Sequence, residues 1–132
     1  MKHPTTDKGD IGIAKVTASL LEQGIPVFMP ISATCPFDML ALIKGKFKRI
    51  QIKYRNGNVL NVALKRNIIH NGKVKSKKNI FVDYLAIYSP ITDKCYYINC
   101  SKFDKCISIR INETKNNQKT MVNNGKDFLK LK

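Results

Sequence analysis

The stretch PFDMLALIKGKFKRIQIKYR, residues 36–55, sets one acid before an apolar run and a Gln-x-Lys near its end. Alternate residues of a β-strand share a face. In a strand over 47–54, Phe47, Arg49, Gln51 and Lys53 point one way and Lys48, Ile50, Ile52 and Tyr54 the other. Ile50 and Ile52 belong on a core, which leaves Gln51 and Lys53 together on the polar side. With a hairpin centred near Gly45, Asp38 lies across from residues 51–53. A carboxylate, an amide oxygen, the backbone carbonyl of Ile52 and an ammonium then converge on one spot. Oxygen donors of this sort suit Mg²⁺, which takes few protein ligands and keeps several waters. Such an ion polarises a phosphodiester and lowers the pKa of a bound water, while Lys53 orients that water or steadies the developing charge. Taken alone the spacing is a weak signal, and a solvated polar face explains it more simply.

The elements that would position these residues are readable. Apolar Ile13, Ala14, Val16, Ala18, Leu20 and Leu21 fit a helical stripe over 10–23, stopped by Gly24, with Asp7 or Asp10 capping the first turn. Residues 26–30 form a short strand bracketed by prolines, suited to an edge. Strands over 37–43 and 47–54 are joined by the short loop Lys44-Gly45-Lys46. Asn56-Gly57-Asn58 marks a turn before a third strand over 59–64. Residues 65–79 are basic and turn-rich and read as a loop or arm. A hairpin over 81–88 and 95–98 turns at Ser89-Pro90-Ile91-Thr92-Asp93, and 106–111 is a last alternating strand. From about residue 112 the chain is a polar, Asn-rich tail with at most a terminal helix near 126–131. The order predicts one α/β domain over 1–132 with a central mixed sheet.

Charge narrows the partner. Lys and Arg number 24 against 9 Asp and Glu, a formal +15, and a chain so charged repels itself unless it meets a polyanion. The charge is clustered: between Met39 and Val82 stand twelve Lys or Arg and no acid. No apolar run approaches the roughly 20 residues that span a bilayer, and the polar start MKHPTTDKGD lacks the apolar stretch of a signal peptide. The expectation is a cytoplasmic protein with no membrane partner and four reduced cysteines. Cys95, Cys100 and Cys106, with Cys35 far away, match no common zinc spacing.

The chain resembles the PD-(D/E)XK nuclease superfamily, and within it the small intron-encoded homing endonucleases of cyanobacterial transfer-RNA introns. The resemblance rests on KGDIGIAKVTASLLEQGIPVFMPIS, on PFDMLALIKGKFKRIQIKYR and, with less chemistry, on DYLAIYSPITDKCYYI. It implies a restriction-endonuclease-like core, a mixed β-sheet flanked by helices. It implies Asp38 as the metal-binding aspartate, Gln51 in the place usually held by Asp or Glu, and Lys53 as the catalytic lysine, with Mg²⁺ or another divalent cation held by Asp38, Gln51 and the Ile52 carbonyl. The family's first-helix Glu, in Gly-Glu-x-x, has become Ile13 in Gly12-Ile13-Ala14-Lys15. The resemblance therefore implies a site-specific, double-strand DNA endonuclease of the homing kind, short of one carboxylate and impaired or disabled to that extent. The alternatives are a non-catalytic nucleic-acid-binding protein, or a branched-DNA resolvase or restriction-type nuclease of the same superfamily. Double-stranded DNA would meet Lys44, Lys46, Arg49, Arg55, Lys65, Arg66, Lys73, Lys75, Lys77 and Lys78. A chain of this size does not span a long target alone, so a homo-oligomer, dimer or tetramer, is expected, with contacts through the apolar strands near 81–98.

Overall fold

A computed structural model describes residues 4–112 and 123–131, with Arg66 placed by its backbone alone. Helix α1 (Thr5–Glu22) starts before the apolar stripe does, because its first turns are exposed and polar. Pro4 precedes it, no side chain caps it, and Asp7 sits in the first turn, where a carboxylate meets the positive end of the helix dipole. Asp10 lies inside the helix and is no cap. Gly12, Val16 and Leu20, four residues apart, are buried. A Cβ on Gly12 would stand 3.4 Å from Ile52 Cγ2, so the glycine lets the helix lie close on the sheet.

That sheet has five strands: β1 (Val27–Phe28), β2 (Met39–Ile43), β3 (Lys46–Tyr54), β7 (Tyr84–Ser89) and β8 (Lys94–Asn99), in that spatial order. Neighbours are antiparallel except β3 and β7, so the sheet is mixed, as expected. The β2–β3 loop is only Lys44-Gly45, both with φ positive (49° and 76°), the geometry of a two-residue hairpin. Lys46 already belongs to β3.

Two layers cover this sheet. On one face α1 packs against Met39, Ala41, Ile50, Tyr84, Ala86, Tyr88 and Tyr97, with Ile13, Ile52 and Tyr54 at the margin. The other face is covered by a second sheet, not by a helix: β4 (Val59–Ala63), β9 (Cys106–Arg110) and β10 (Asn123–Asn124). Leu60, Val62, Ile107 and Ile109 meet Leu85, Ile87, Tyr96 and Ile98 there. Covered on both faces, β7 is buried at every residue. Most side chains of β7 and β8 are thus buried within the chain itself, with β8 at the edge of the sheet.

The basic stretch 65–79, expected as a loop, is a hairpin: β5 (Lys65–His70) and β6 (Lys73–Lys78) pair antiparallel from Lys65↔Lys78 to His70↔Lys73. Its turn is Asn71-Gly72, with φ of 52° and 72°. The two strands form a separate sheet, and every residue from Lys73 to Lys78 is exposed. Residues 113–122 of the expected polar tail lie outside the described residues. After them Asn123–Asn124 pair parallel with β9, and the expected terminal helix is a 3₁₀ turn, Gly125–Phe128. Leu131 is buried, and its N–H donates to Gln23 Oε1 at 3.0 Å. Among the described residues no helix is long and apolar enough to cross a membrane, and all four cysteines are free thiols.

Candidate active site

Asp38 stands one residue before β2, which begins with Met39 opposite Ile50. Its N–H donates to the Ile50 carbonyl at 2.9 Å, and its Oδ2 accepts from the Ile52 N–H at 2.7 Å. The side chain thus supplies the acceptor that the next β2 residue would have offered. A carboxylate bonded in this way lies near the plane of the sheet, at the seam between its faces. Among the described residues Oδ1 carries no hydrogen bond and the carboxylate no salt bridge.

A strand residue turns its N–H and C=O to the same side. Arg49 shows this toward β7: its N–H donates to Asp83 Oδ2 at 2.8 Å and its carbonyl accepts from the Asp83 N–H at 2.9 Å. Ile50 and Ile52 bond toward Asp38, on the β2 side. The Ile52 carbonyl therefore points beyond the end of β2, beside the Asp38 carboxylate.

Gln51 and Lys53 pair in register with Leu85 and Ile87 and share their face, away from α1. Both are half-buried. Gln51 lines a small crevice with Leu64, Lys65, Asn79, Val82 and Leu85. Among the described residues the Lys53 ammonium has no hydrogen-bond or ion-pair partner. Ile13 falls on the other face, half-buried against the core that includes Ile52 and Tyr54, one residue past the glycine lying on Ile52. Position 13 therefore stands near Ile52, the residue between Gln51 and Lys53, on the helix side of β3.

As to donors for a metal, no three His, Cys, Asp or Glu side chains gather anywhere among the described residues. What the seam offers is one carboxylate with a free oxygen and one backbone carbonyl, with the Gln51 amide on the neighbouring strand position. An all-oxygen set with few protein ligands fits a hard divalent ion that keeps its waters.

The basic candidates are dispersed. Lys44 and Lys46 lie exposed at the β2–β3 turn, about 23 Å along β3 from Lys53 at the usual rise of a strand. Arg55 is exposed and donates to the Tyr54 carbonyl at 3.1 Å. Lys65, Lys73, Lys75, Lys77 and Lys78 stand on the β5–β6 hairpin, with Arg66 opposite Lys77 in its register. Lys78 Nζ also donates to the Phe103 carbonyl at 3.0 Å.

Arg49 is not free. Its Nε and Nη2 each bond an oxygen of Asp83 at 3.0 Å. This fork, with burial opposing it, holds the Asp83 carboxyl below its ordinary range and raises the guanidinium. Sequence reasoning missed Asp83. The one signal was an acid directly before the apolar run YLAIYS, and nothing local marks its partner 34 residues earlier.

A second acid, Asp93, accepts at Oδ1 from Lys15 Nζ at 2.8 Å and from the Tyr88 hydroxyl at 2.7 Å, tying α1 to the β7–β8 loop. Burial pushes the nearby Cys95 thiol up to about 11, which keeps it protonated and inert at neutral pH.

No curated protein matches the chain in sequence. Among solved structures, that of the bacterial homing endonuclease I-Ssp6803I is similar in fold, with a TM-score of 0.65 over 89% of this chain and 84% of that one at 18% identity. The sequence profile of the PD-(D/E)XK endonucleases matches residues 3–131. A match of that extent takes in α1, the Asp38 seam and all three sheets, and this chain therefore belongs to the PD-(D/E)XK endonuclease family.

Proposed function

We propose that the chain is a metal-dependent endonuclease of double-stranded DNA, of the homing type, and that the seam at Asp38 is its catalytic centre. The observation that carries this reading is the half-buried Asp38 carboxylate: fixed through Oδ2 on the Ile52 N–H, it keeps Oδ1 open beside the Ile52 carbonyl, in a chain of net charge +15. A purely DNA-binding surface gains nothing from an unneutralised acid near phosphate.

In this reading Asp38 Oδ1, the Ile52 carbonyl and the Gln51 amide oxygen hold a divalent cation, of which Mg²⁺ fits the donors best. When bound, that ion polarises the scissile phosphodiester and acidifies water. Lys53 orients the attacking water or stabilises negative charge as it builds on the phosphate oxygens. The hydrogen bond from the Ile52 N–H fixes the carboxylate before substrate arrives, so no reordering is needed on binding. Lys44, Lys46, Arg55 and the cations of the β5–β6 hairpin contact phosphates, and Arg49 joins them only by releasing Asp83. The shape of a homing site, long and double-stranded, favours two copies on one target. The exposed edge at β1, where Phe28 and Phe47 meet edge to face at 5.4 Å beside Met29 and Ile31, offers the apolar surface for a second copy.

Ile13 favours one other reading, a relative that binds DNA without cutting it, because an apolar side chain at that place supplies no ligand. Nicking of supercoiled plasmid, and cleavage of cloned intron-insertion DNA, with Mg²⁺ or with EDTA separates the two. The nuclease cuts only with the metal and loses activity on Lys53→Ala, at some cost in DNA affinity. Metal-independent nicking, or a Lys53→Ala protein as active as its parent, sinks the assignment.

A further inference from the structure

The β5–β6 hairpin has no evident structural purpose. It stands as its own two-stranded sheet, covers neither core cluster and leaves β6 wholly exposed. A two-stranded ribbon alone is marginally stable in water, so its persistence as an exposed element calls for an occupant. Its residues 65–78 include Lys65, Arg66, Lys73, Lys75, Lys77 and Lys78 and no acid. The register divides the cations. Lys73, Lys75 and Lys77 share a face with Ile68 and His70, while Lys78 lies on the other face and is tied down by the Phe103 carbonyl. One face of the ribbon is thus tied to the body at its base through Lys78, and the other presents an exposed row of three lysines.

The ribbon is also joined to the candidate centre. Lys65 and Asn79, at the two ends of its base, line the same crevice as Gln51. Beside it a groove of about 380 Å³, lined among others by Lys48, Arg49, Lys78 and Ser101, continues the positive surface onto the body.

We infer that the β5–β6 hairpin is a DNA-reading ribbon that lies in the major groove of the target, with the Lys73, Lys75 and Lys77 face toward the nucleic acid. This rests on the nuclease reading of the Gln51 strand and adds the element that selects the target. The major groove of undistorted B-form DNA, about 12 Å wide, admits a two-stranded ribbon, whereas its minor groove, about 6 Å wide, admits one only when the duplex is bent open. From Lys65 to His70 the ribbon extends roughly 20 Å, which at about 3.4 Å per base pair covers about six base pairs to one side of the cut.

The test uses the full chain carrying Asp38→Ala, so that DNA stays intact, with and without Lys73→Gln, Lys75→Gln and Lys77→Gln together. These positions are exposed, and a thermal melt checks that the fold is kept. Binding to a short duplex of mixed sequence is measured against salt. The triple substitution is expected to weaken binding about tenfold or more and to lower the slope of log affinity on log salt by about three, one per lost phosphate contact. Duplex whose cytosines carry glucosylated hydroxymethyl groups, which fill the major groove, is expected to bind the parent far more weakly, while netropsin in the minor groove leaves it bound. An unchanged salt slope, displacement by netropsin but not by glucosylation, or ribbon-dependent binding to phosphatidylserine vesicles as tight as to duplex overturns the assignment. Metal-dependent nicking by the unsubstituted chain, lost on Asp38→Ala, reads the nuclease separately, so the ribbon can fail while the centre stands.

Discussion

Asp38→Asn separates the structural from the chemical use of one carboxylate. Asparagine keeps an oxygen that accepts from the Ile52 N–H at the 2.7 Å position, so the seam stays closed. What is lost is the charge-assisted part of that bond, the difference between about 2 kcal/mol for an ionised acceptor and about 1 for a neutral one. Alanine removes the acceptor and leaves the Ile52 N–H unpaired at a half-buried edge, for about 2 kcal/mol in all. With an unfolding entropy of about 2.1 cal/mol/K per residue, 1 kcal/mol shifts the Tm of a chain of 132 residues by about 3–4 °C. The Asn protein is therefore expected to melt about 3 °C below its parent and the Ala protein about 7 °C below.

Cleavage should not follow that order. Both substitutions remove the Asp38 carboxylate from the seam, and a loss of about 3 kcal/mol of transition-state stabilisation slows cleavage more than a hundredfold. Duplex binding by either variant should equal or exceed that of the parent, since a charge repelling phosphate has gone. Scanning calorimetry, plasmid nicking with Mg²⁺ and duplex titration measure the three quantities on the same preparations. An Asn protein that nicks within a few-fold of its parent refutes the centre, and an Ala protein that melts with its parent refutes the hydrogen bond.

Ile13→Glu should raise nicking by supplying a second carboxylate from the helix side of the seam; it should lower the melting temperature without metal, and added Mg²⁺ should restore it by binding the native state. Asp83 is held below its ordinary pKa by the Arg49 fork, so its pairing stabilises the fold above the usual carboxylate range near pH 4 and that stability is lost as pH falls through the depressed value. With the pair about a third exposed (38% and 31%), about 1 kcal/mol is expected, and Asp83→Asn should flatten the acid limb of a stability-versus-pH curve by that amount. Gly125→Ala sets a Cβ 2.6 Å from Cε1 of the buried Tyr96 ring, and urea unfolding should show about 1–3 kcal/mol of overpacking cost.

The parts of this fold legible in the sequence are those where burial writes a period. Ile50 and Ile52 alternate with Gln51 and Lys53 because one face of β3 meets α1, and the pairing of β2 with β3 follows from a two-residue turn. The ribbon escaped because β6 buries nothing, so its sequence has no apolar alternation to display. Asn71-Gly72 was a hairpin signal of the strongest short kind, submerged in a stretch read for its charge. The run YLAIYS is apolar throughout because α1 covers one of its faces and the small second sheet the other, and that sheet forms only by pairing β4 with β9 across more than forty residues. Such pairings are set by tertiary packing, not by anything local to either strand.

Two acids flank the acid-free tract, and the fold uses them in parallel ways with opposite outcomes. Asp38 lies on the β2 side of β3 and Asp83 on the β7 side, and each accepts a backbone N–H of that strand, from Ile52 and from Arg49. Both thereby fix where a neighbouring strand begins. At Asp83 the chain completes the arrangement with a guanidinium fork, which neutralises the charge and leaves it no further work. At Asp38 no such partner is present among the described residues, although twelve cations follow within the next 43 positions. A half-buried carboxylate left unpaired in so basic a protein is costly unless something outside the chain neutralises it. In the proposed centre the open Oδ1 and the adjoining Ile52 carbonyl serve a divalent cation, and the Lys53 ammonium, without a partner among the described residues, serves a phosphodiester. The contrast between the two acids, rather than either one alone, is what supports the proposed metal site at Asp38 over a second strand terminator.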